Sequence, residues 1–292
     1  MKIAVASGKG GTGKTFVSTN LFWVARQEGI PVTLVDCDAE EPDVNEFISG
    51  NMLQVVDVTQ HIPVIHSEQC TYCGACYDYC NYQAILFFPE NNYIQVLPDL
   101  CHDCGACTVA CKYGAIREKE KLLGKVRLFF VDDHARVIEG RTEVGVYSPV
   151  PVIRRAIREA ADDQPLILID SPPGIACPFI AAVDQADFVV LVAEPTPFGL
   201  NDLKLSAETL REIGKTFGVV VNRAGLGNRE LYRWMEENQV PLLAEFPFDR
   251  EVARVYSEGH LIAGENAVYY ERFNVLLKNI EKQIGSWSKL SC

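Results

Sequence analysis

No stretch of the 292-residue chain approaches the roughly 20 consecutive apolar residues that a helical membrane span needs. The opening MKIAVASGKG has no charged segment followed by a long apolar one, so no secretory leader is expected. Basic side chains are also scarce. Lys and Arg number 27 against 39 Asp and Glu, a formal net charge of -12, which argues against nucleic-acid phosphate or an anionic lipid surface as a partner. Basic protein partners, or a carrier that prefers a negative surface, fit that balance better. The hydrophobic share of 48% is that of an ordinary packed protein. What the chain does have is cysteine, 11 in all. A leaderless chain is expected in the cytoplasm, where a disulfide framework is disfavoured, so clustered cysteines point to metal or redox chemistry.

The order of apolar runs is that of a doubly wound α/β protein. KIAVAS (2–7) reads as a short buried strand, a Gly-rich turn follows, an apolar helix runs from Lys14 to Glu28, and VTLVD (32–36) is a second strand. The pattern breaks between His66 and Arg117, where cysteines, tyrosines and short loops replace long periodic segments. It resumes after a hairpin near Val126–Ile138. A helix is expected over Pro151–Ala161, with strands at Leu166–Asp170, Phe188–Ala193, Phe217–Asn222 and Leu242–Phe246. The expected organisation is one domain, 1–65 with 118–292, interrupted by an insert at 66–117. The insert holds an internal repeat: CTYCGACYDYCNYQAI (70–85) and CHDCGACTVACKYGAI (101–116) agree at nine of sixteen positions at an offset of 31. Two such halves predict a small pseudo-symmetric α+β module.

Gly8-Lys9-Gly10-Gly11-Thr12-Gly13-Lys14-Thr15 fits the phosphate-loop pattern G-x-x-x-x-G-K-[ST]. Its glycines let successive backbone N–H groups turn around phosphate oxygens, and the helix N-terminus adds partial positive charge. Lys14 is expected to reach the β- and γ-phosphates of ATP, and the Thr15 hydroxyl to ligate Mg²⁺. The extra lysine, Lys9, makes the loop resemble the deviant Walker A motif of the MinD/ParA ATPases, a family that includes the nitrogenase iron protein. That resemblance covers about 1–48 and 140–285. It implies a P-loop NTPase fold with a mostly parallel sheet and helices on both faces, and an ATPase that is slow without a partner. It also implies an ATP-dependent homodimer in which Lys9 reaches the partner copy's nucleotide. Asp36 and Asp38 of VDCD are similar to the family's switch I acids, Asp38 to position the attacking water and Asp36 to sit near Mg²⁺. Asp170, ending LILID, resembles the Walker B aspartate. Ser171-Pro172-Pro173-Gly174 resembles switch II, and Asn222 and Arg223 resemble the adenine-reading segment.

The runs Cys70-x2-Cys73-x2-Cys76-x3-Cys80 and Cys101-x2-Cys104-x2-Cys107-x3-Cys111 match the spacing of bacterial ferredoxins, which hold [4Fe–4S] clusters. In two-cluster ferredoxins the fourth cysteine of each run serves the other cluster. By that resemblance one cluster takes Cys70, Cys73, Cys76 and Cys111, and the other Cys101, Cys104, Cys107 and Cys80. Zinc is the rival metal, but structural zinc sites pair C-x2-C knuckles. The proline that follows the fourth cysteine in bacterial ferredoxins is replaced here by Asn81 and Lys112. Lys112 is placed to favour a reduced, more negative cluster.

Three cysteines lie outside the runs. Cys37 reads as strand-end packing, and Cys292 is terminal. Cys177 lies seven residues past Asp170, the offset of a cluster ligand in the nitrogenase iron protein, but no second cysteine matches that pattern, so a buried structural thiol is expected. The apolar stripe Phe273, Leu276, Leu277, Ile280, Ile284, Trp287 reads as a packing helix, not a membrane-binding tail. Together the motifs suggest a MinD-type ATPase with an inserted ferredoxin-like module, gating electron transfer to or from a redox protein by ATP. Two alternatives stay open: an iron–sulfur carrier serving an apo-acceptor protein, and a spatial positioning switch.

Overall fold

A computed structural model describes residues 1–160 and 164–285. Trp287 and Cys292 lie outside the described residues. The chain forms β1 (Lys2–Ala6), α1 (Lys14–Gln27), β2 (Val32–Asp36), β3 (Asn51–Ile65), α2 (Ala75–Asp78), β4 (Ile85–Phe88), β5 (Tyr93–Val96), α3 (Ala106–Ala110), β6 (Ile116–Asp132) and β7 (Ala135–Thr142). It continues with α4 (Val150–Glu159), β8 (Leu166–Asp170), α5 (Cys177–Val183), β9 (Phe188–Ala193), α6 (Pro197–Glu212), β10 (Phe217–Ala224), α7 (Glu230–Glu237), β11 (Leu242–Pro247), α8 (Arg250–Ser257), α9 (Ile262–Glu265) and α10 (Ala267–Ile284). It divides into two compact units. One comprises 1–56, 125–142 and the chain from 148 onward; the other comprises 57–124 and 143–147.

The first unit is built on a sheet of order β11-β10-β9-β1-β8-β2-β7-β6-β3. The pairs from β11 through to β7 are parallel. β6 and β7 meet through a two-residue turn at Asp133–His134 as a hairpin. Ile3, Ala4, Val5 and Ala6 of β1 are fully buried, as a strand covered on both faces must be. One face carries α1, α9 and α10, and the other carries α4, α5 and α6. On the first face Phe16, Phe246 and Phe273 interlock, with ring centroids 5.7 Å, 5.5 Å and 4.4 Å apart. Leu276, Leu277 and Ile280 bury in the same core and Ile284 packs at its edge, so the apolar stripe of α10 is spent inside the fold. β1 lies between β8 and β9, where the strand order reverses. In open α/β sheets ligands bind outside the carboxyl ends of the strands at such a point.

The second unit has a two-stranded antiparallel sheet, β4 with β5, and a small core of Cys76, Ile85 and Ile116. Its backbone repeats the sequence repeat. Tyr72 and Asp103 both have φ 53, Gly74 and Gly105 have φ 79 and 68, and Gln83 and Gly114 have φ 52 and 64, each pair 31 residues apart. Gly74 and Gly105 each open a short helix, α2 and α3. The sequence did not announce β3, whose residues 51–55 are all exposed and so show no alternation, nor the first half of β6. The compact unit also reaches further at both ends than 66–117 and takes in 143–147.

Candidate functional site: a phosphate loop and two cysteine cavities

The chain leaves β1 at Ala6 and enters α1 at Lys14, so residues 7–13 form the loop at the switch point. Ser7 Oγ donates to the Lys9 carbonyl at 2.6 Å, folding the loop back on itself. Gly13 has φ 99, and a Cβ there would sit 2.4 Å from Asn222 Nδ2. The closeness is used: Asn222 Nδ2 donates to the Thr12 carbonyl at 2.8 Å and pins the loop from β10. α1 has neither a side-chain cap nor an acid in its first turn. Its first N–H groups are thus available to an anion. Gly13, Lys14 and Thr15 form one wall of a cavity of about 610 Å³ that is also lined by Asp38, Asp43, Asn222, Arg223, Phe248 and Tyr256. That is ligand-sized.

Four carboxylates gather below Lys14, whose side chain is buried. Asp36 accepts the backbone N–H groups of Asp38, Asp43 and Val44, each at 3.1 Å, and so shapes the loop after β2. Asp170 differs. Both its carboxylate oxygens are buried without a hydrogen-bond partner, and so is Oδ1 of Asp43. Burial, with the neighbouring carboxylate adding to it, holds the carboxyl of Asp36 well above its ordinary range, and burial does the same to Asp170 against the pull of Lys14. Burial pushes Asp38 up to about 6, although Lys14 opposes it. Buried acceptors lacking any donor require an explanation. A divalent cation with its waters supplies what they lack, so this donor set fits Mg²⁺.

Lys9 lies 3.9 Å from both Glu194 and Asp202 of its own chain. Glu194 is shared with Arg223, whose Nη1 is 2.6 Å away. Arg223 itself sits at φ 54, and its N–H donates to Asn222 Oδ1 at 2.9 Å.

In the second unit the cysteines divide between two cavities. Cys70, Cys73, Cys76 and Cys111 line one, with Ile65, Tyr72, Ile94, Tyr113 and Ile116 around them. Cys80, Cys101, Cys104 and Cys107 line the other, with His61, Tyr82, His102, Asp103 and Glu118. All the described cysteines are free thiols. The fourth cysteine of each run thus stands in the cavity of the opposite run. Burial pushes the Cys76 thiol up to about 11 and raises those of Cys101 and Cys107. The Ala84 N–H donates to Cys80 Sγ at 3.3 Å. Among the described residues, no group of three or more His, Cys, Asp or Glu side chains is arranged to hold a metal ion.

The CbiA family, described as the CobQ/CobB/MinD/ParA nucleotide binding domain, matches residues 3–262. The chain belongs to this MinD/ParA family. It is 30% identical over 285 residues to an uncharacterized protein of Methanocaldococcus jannaschii, covering 97% of this chain and 98% of that one. An uncharacterized ATP-binding protein of the same organism is 26% identical over 262 residues, covering 87% and 88%. Among solved structures, the septum site-determining protein MinD with Mg-ADP from Pyrococcus horikoshii superposes with a TM-score of 0.60 at 19% identity, over 97% of both chains. An iron–sulfur cluster carrier protein of Saccharolobus solfataricus is 45% identical over 58 residues, 19% of this chain and 20% of that one.

Within this MinD/ParA chain the predicted residues fall into place unevenly. Gly10, Gly11, Gly13, Lys14, Thr15, Asp38, Asn222 and Arg223 line one cavity. Asp36 and Asp170 lie buried at the ends of adjacent strands, in register with each other. Asp36 already accepts three backbone N–H groups, and Asn222 is engaged with the loop itself. Sequence reasoning missed Asp43, the third aspartate of DCDAEEPD, and the aromatic wall of Phe248 and Tyr256, which no motif marks. Cys37 is buried, as strand-end packing requires. Cys177 was expected as a buried structural thiol; it is exposed, because it opens the first turn of α5 while Phe179, Ala181, Ala182 and Val183 provide that helix's buried face. No helix among the described residues is long and apolar enough to cross a membrane.

Proposed function

We propose that the chain is an ATP-hydrolysing switch coupled to two [4Fe–4S] clusters in its cysteine unit, exchanging electrons with a protein partner under nucleotide control. The observation that carries this reading is the crossed grouping of eight cysteines in two cavities, on a chain whose phosphate loop faces unpartnered buried aspartates. Lys14 and the first N–H groups of α1 bind the phosphates, and Thr15, Asp43 and Asp170 hold Mg²⁺, with Asp36 fixing the loop that carries Asp43. Bound Mg²⁺ neutralises charge on the β- and γ-phosphates. Asp38 orients the attacking water. Lys9 leaves Glu194 and Asp202 to reach the nucleotide of a second copy, which makes dimerisation respond to ATP. Cys70, Cys73, Cys76 and Cys111 hold one cluster, and Cys80, Cys101, Cys104 and Cys107 the other. Bound clusters supply one-electron storage. Asp36 ends β2, Asp38 follows it, and the chain runs on from there into β3 and so to Cys70, which gives nucleotide state a covalent path to the cysteine unit. The domain division 1–65 with 118–292 and 66–117 belongs to this reading, as does a cytoplasmic location.

The test is anaerobic. Iron and sulfide are quantified, and EPR spectra of the reduced protein are recorded without nucleotide, with ADP and with a non-hydrolysable ATP analogue. About eight iron and eight sulfide per chain, expected for two [4Fe–4S] clusters, with spectra or partner-reduction rates that depend on nucleotide, support the switch. Identical behaviour in all three states removes the gating, and zinc in place of iron removes the redox function.

The short, closely similar stretch shared with an iron–sulfur cluster carrier favours a second reading, in which the chain delivers clusters to an apo-acceptor. Incubation of the iron-loaded chain with an apo-ferredoxin separates the two. Iron retained on the chain favours electron transfer, and iron moved to the acceptor favours delivery.

A further inference from the structure

The two cysteine cavities differ in what surrounds the thiols. Apart from its cysteines, the first is walled by Ile65, Tyr72, Ile94, Tyr113 and Ile116, and none of its lining residues is Asp, Glu, Lys or Arg. The second is walled by Asp103 and Glu118, with His61 and His102. Glu118 is held in place: its Oε1 accepts from Thr108 Oγ1 at 2.8 Å. Asp103 is held too, accepting the His61 N–H at 2.9 Å. His61 Nδ1 lies 3.6 Å from Asp103, and His61 Nε2 lies 3.9 Å from Glu120, a third carboxylate on that side. His102 stacks on Tyr82 with ring centroids 3.9 Å apart. The second cavity is thus lined by two carboxylates, Asp103 and Glu118, and the first by none.

Accepting an electron adds a negative charge to a cluster. Net charge, hydrogen bonding to sulfur and solvent exposure are what set its potential. We propose that the two cavities are electrically unequal, Asp103 and Glu118 holding the cluster of Cys80, Cys101, Cys104 and Cys107 at the lower potential, so that electrons entering there collect at Cys70, Cys73, Cys76 and Cys111. This rests on the cluster reading above. The step is a one-electron transfer: a low-potential one-electron donor is oxidised, the second-cavity cluster is reduced and then reoxidised as the first-cavity cluster is reduced, and no proton or bond changes hands. Asp103 and Glu118 are tuning residues, acting through charge without touching the electron.

The experiment is a potentiometric EPR titration at pH 8 of the iron-loaded full chain, its Glu118→Gln and Asp103→Asn variants, and a Glu90→Gln control that removes an exposed acid lining neither cavity. Two midpoints are expected in the parent chain. Glu118→Gln raises the lower midpoint and leaves the upper in place, with a change of about tenfold in the reduced-to-oxidised ratio, 59 mV for a one-electron couple. Glu90→Gln moves neither. Should a variant lose iron, the converse substitution decides: Thr71→Glu places an acid at the lining of the first cavity, and it is expected to lower the upper midpoint and narrow the gap. A single midpoint for both clusters in the parent chain, or equal shifts of both in Glu118→Gln, overturns the inequality while leaving two clusters standing. Iron and sulfide well below eight per chain in the parent overturns the cluster reading itself.

Discussion

Asp170 ends β8 with both carboxylate oxygens buried and without a hydrogen-bond partner, directly across from Asp36 and below Lys14. Such a carboxylate burdens the nucleotide-free chain, because burial disfavours its charged form. The same burial raises Asp36 and brings Asp38 to about 6. The sign of the pH effect follows. A carboxyl whose folded value is raised stabilises the fold fully below its unfolded value, near 3.9 by its ordinary range, and loses that contribution as pH rises through the folded value. The nucleotide-free chain is therefore expected to lose stability on these groups' account between about pH 4 and the raised values, which start near 6 at Asp38. Mg-ADP, setting its Mg²⁺ against the ionised carboxylates, is expected to raise Tm more at pH 8 than at pH 5. Asp170→Asn should shrink that difference. At pH 8 it should leave the nucleotide-free chain as stable as the parent or more so, and it should remove the Mg²⁺-dependent part of the ADP effect. Thermal unfolding with ADP, with and without Mg²⁺, at the two pH values checks this. A variant that is destabilised at pH 8 yet keeps the Mg²⁺ effect would show that Asp170 is structural.

Two elements near the site test whether local anchoring or general packing governs nucleotide binding. Glu139 on β7 is almost fully buried. It accepts from Asn45 Nδ2 at 2.7 Å, Arg127 Nη1 at 3.1 Å and Arg141 Nε at 3.2 Å. It thereby clamps the loop that carries Asp43 to the β6–β7 hairpin. Glu139→Gln keeps the shape and removes the charge. Since both arginines are partly in water, the expected cost is about 1–3 kcal/mol, below that of breaking a fully buried pair. A clear loss of Mg-nucleotide affinity should accompany it. Phe273→Ala, at the aromatic junction of α1, β11 and α10, should cost about 3–5 kcal/mol with unchanged affinity in what remains folded. Urea unfolding paired with fluorescent-nucleotide titration separates the two. Equal affinity losses would mean that the clamp is only packing. These elements also show what the sequence could carry. β2, β8 and β9 are legible end to end because strands buried on both faces are unbroken apolar runs between loops. β3 is not, because Met52, Leu53 and Val55 are exposed and the usual alternation is missing. The phosphate loop is contiguous and so announces itself. Asp43 does not, since nothing in DCDAEEPD says which acid the chain folds inward. Phe248 and Tyr256 reach the cavity from β11's end and α8, a convergence only tertiary structure creates.

On the scale of the molecule, each unit has its own core, and the two are unequal. The nucleotide unit buries a continuous core from Ile3 to Ile280. The cysteine unit buries Cys76, Ile85 and Ile116, with Ile65, Ile94, Cys80, Cys107 and Cys111 at their edge, much of it thiol. A unit below about 70–80 residues draws only a few kcal/mol from such a core and usually needs a metal or cross-link to hold it. Where a metal site supplies the missing stability, binding free energy becomes folding free energy. Calorimetry of the iron-loaded chain is therefore expected to show two transitions. Mg-ADP at about a hundred times its Kd should stabilise the nucleotide unit by about 2.7 kcal/mol and move its transition alone. Anaerobic chelation of iron should abolish or lower the other transition, increase proteolytic cleavage within 57–124, and leave ADP binding in place. A single transition that responds to both treatments would mean that the units unfold together, and nucleotide state would then reach the cysteines through shared stability. Two independent transitions leave the proposed coupling to the folded state alone, along the chain from Asp36 through Asp43 into the strand β3 that follows.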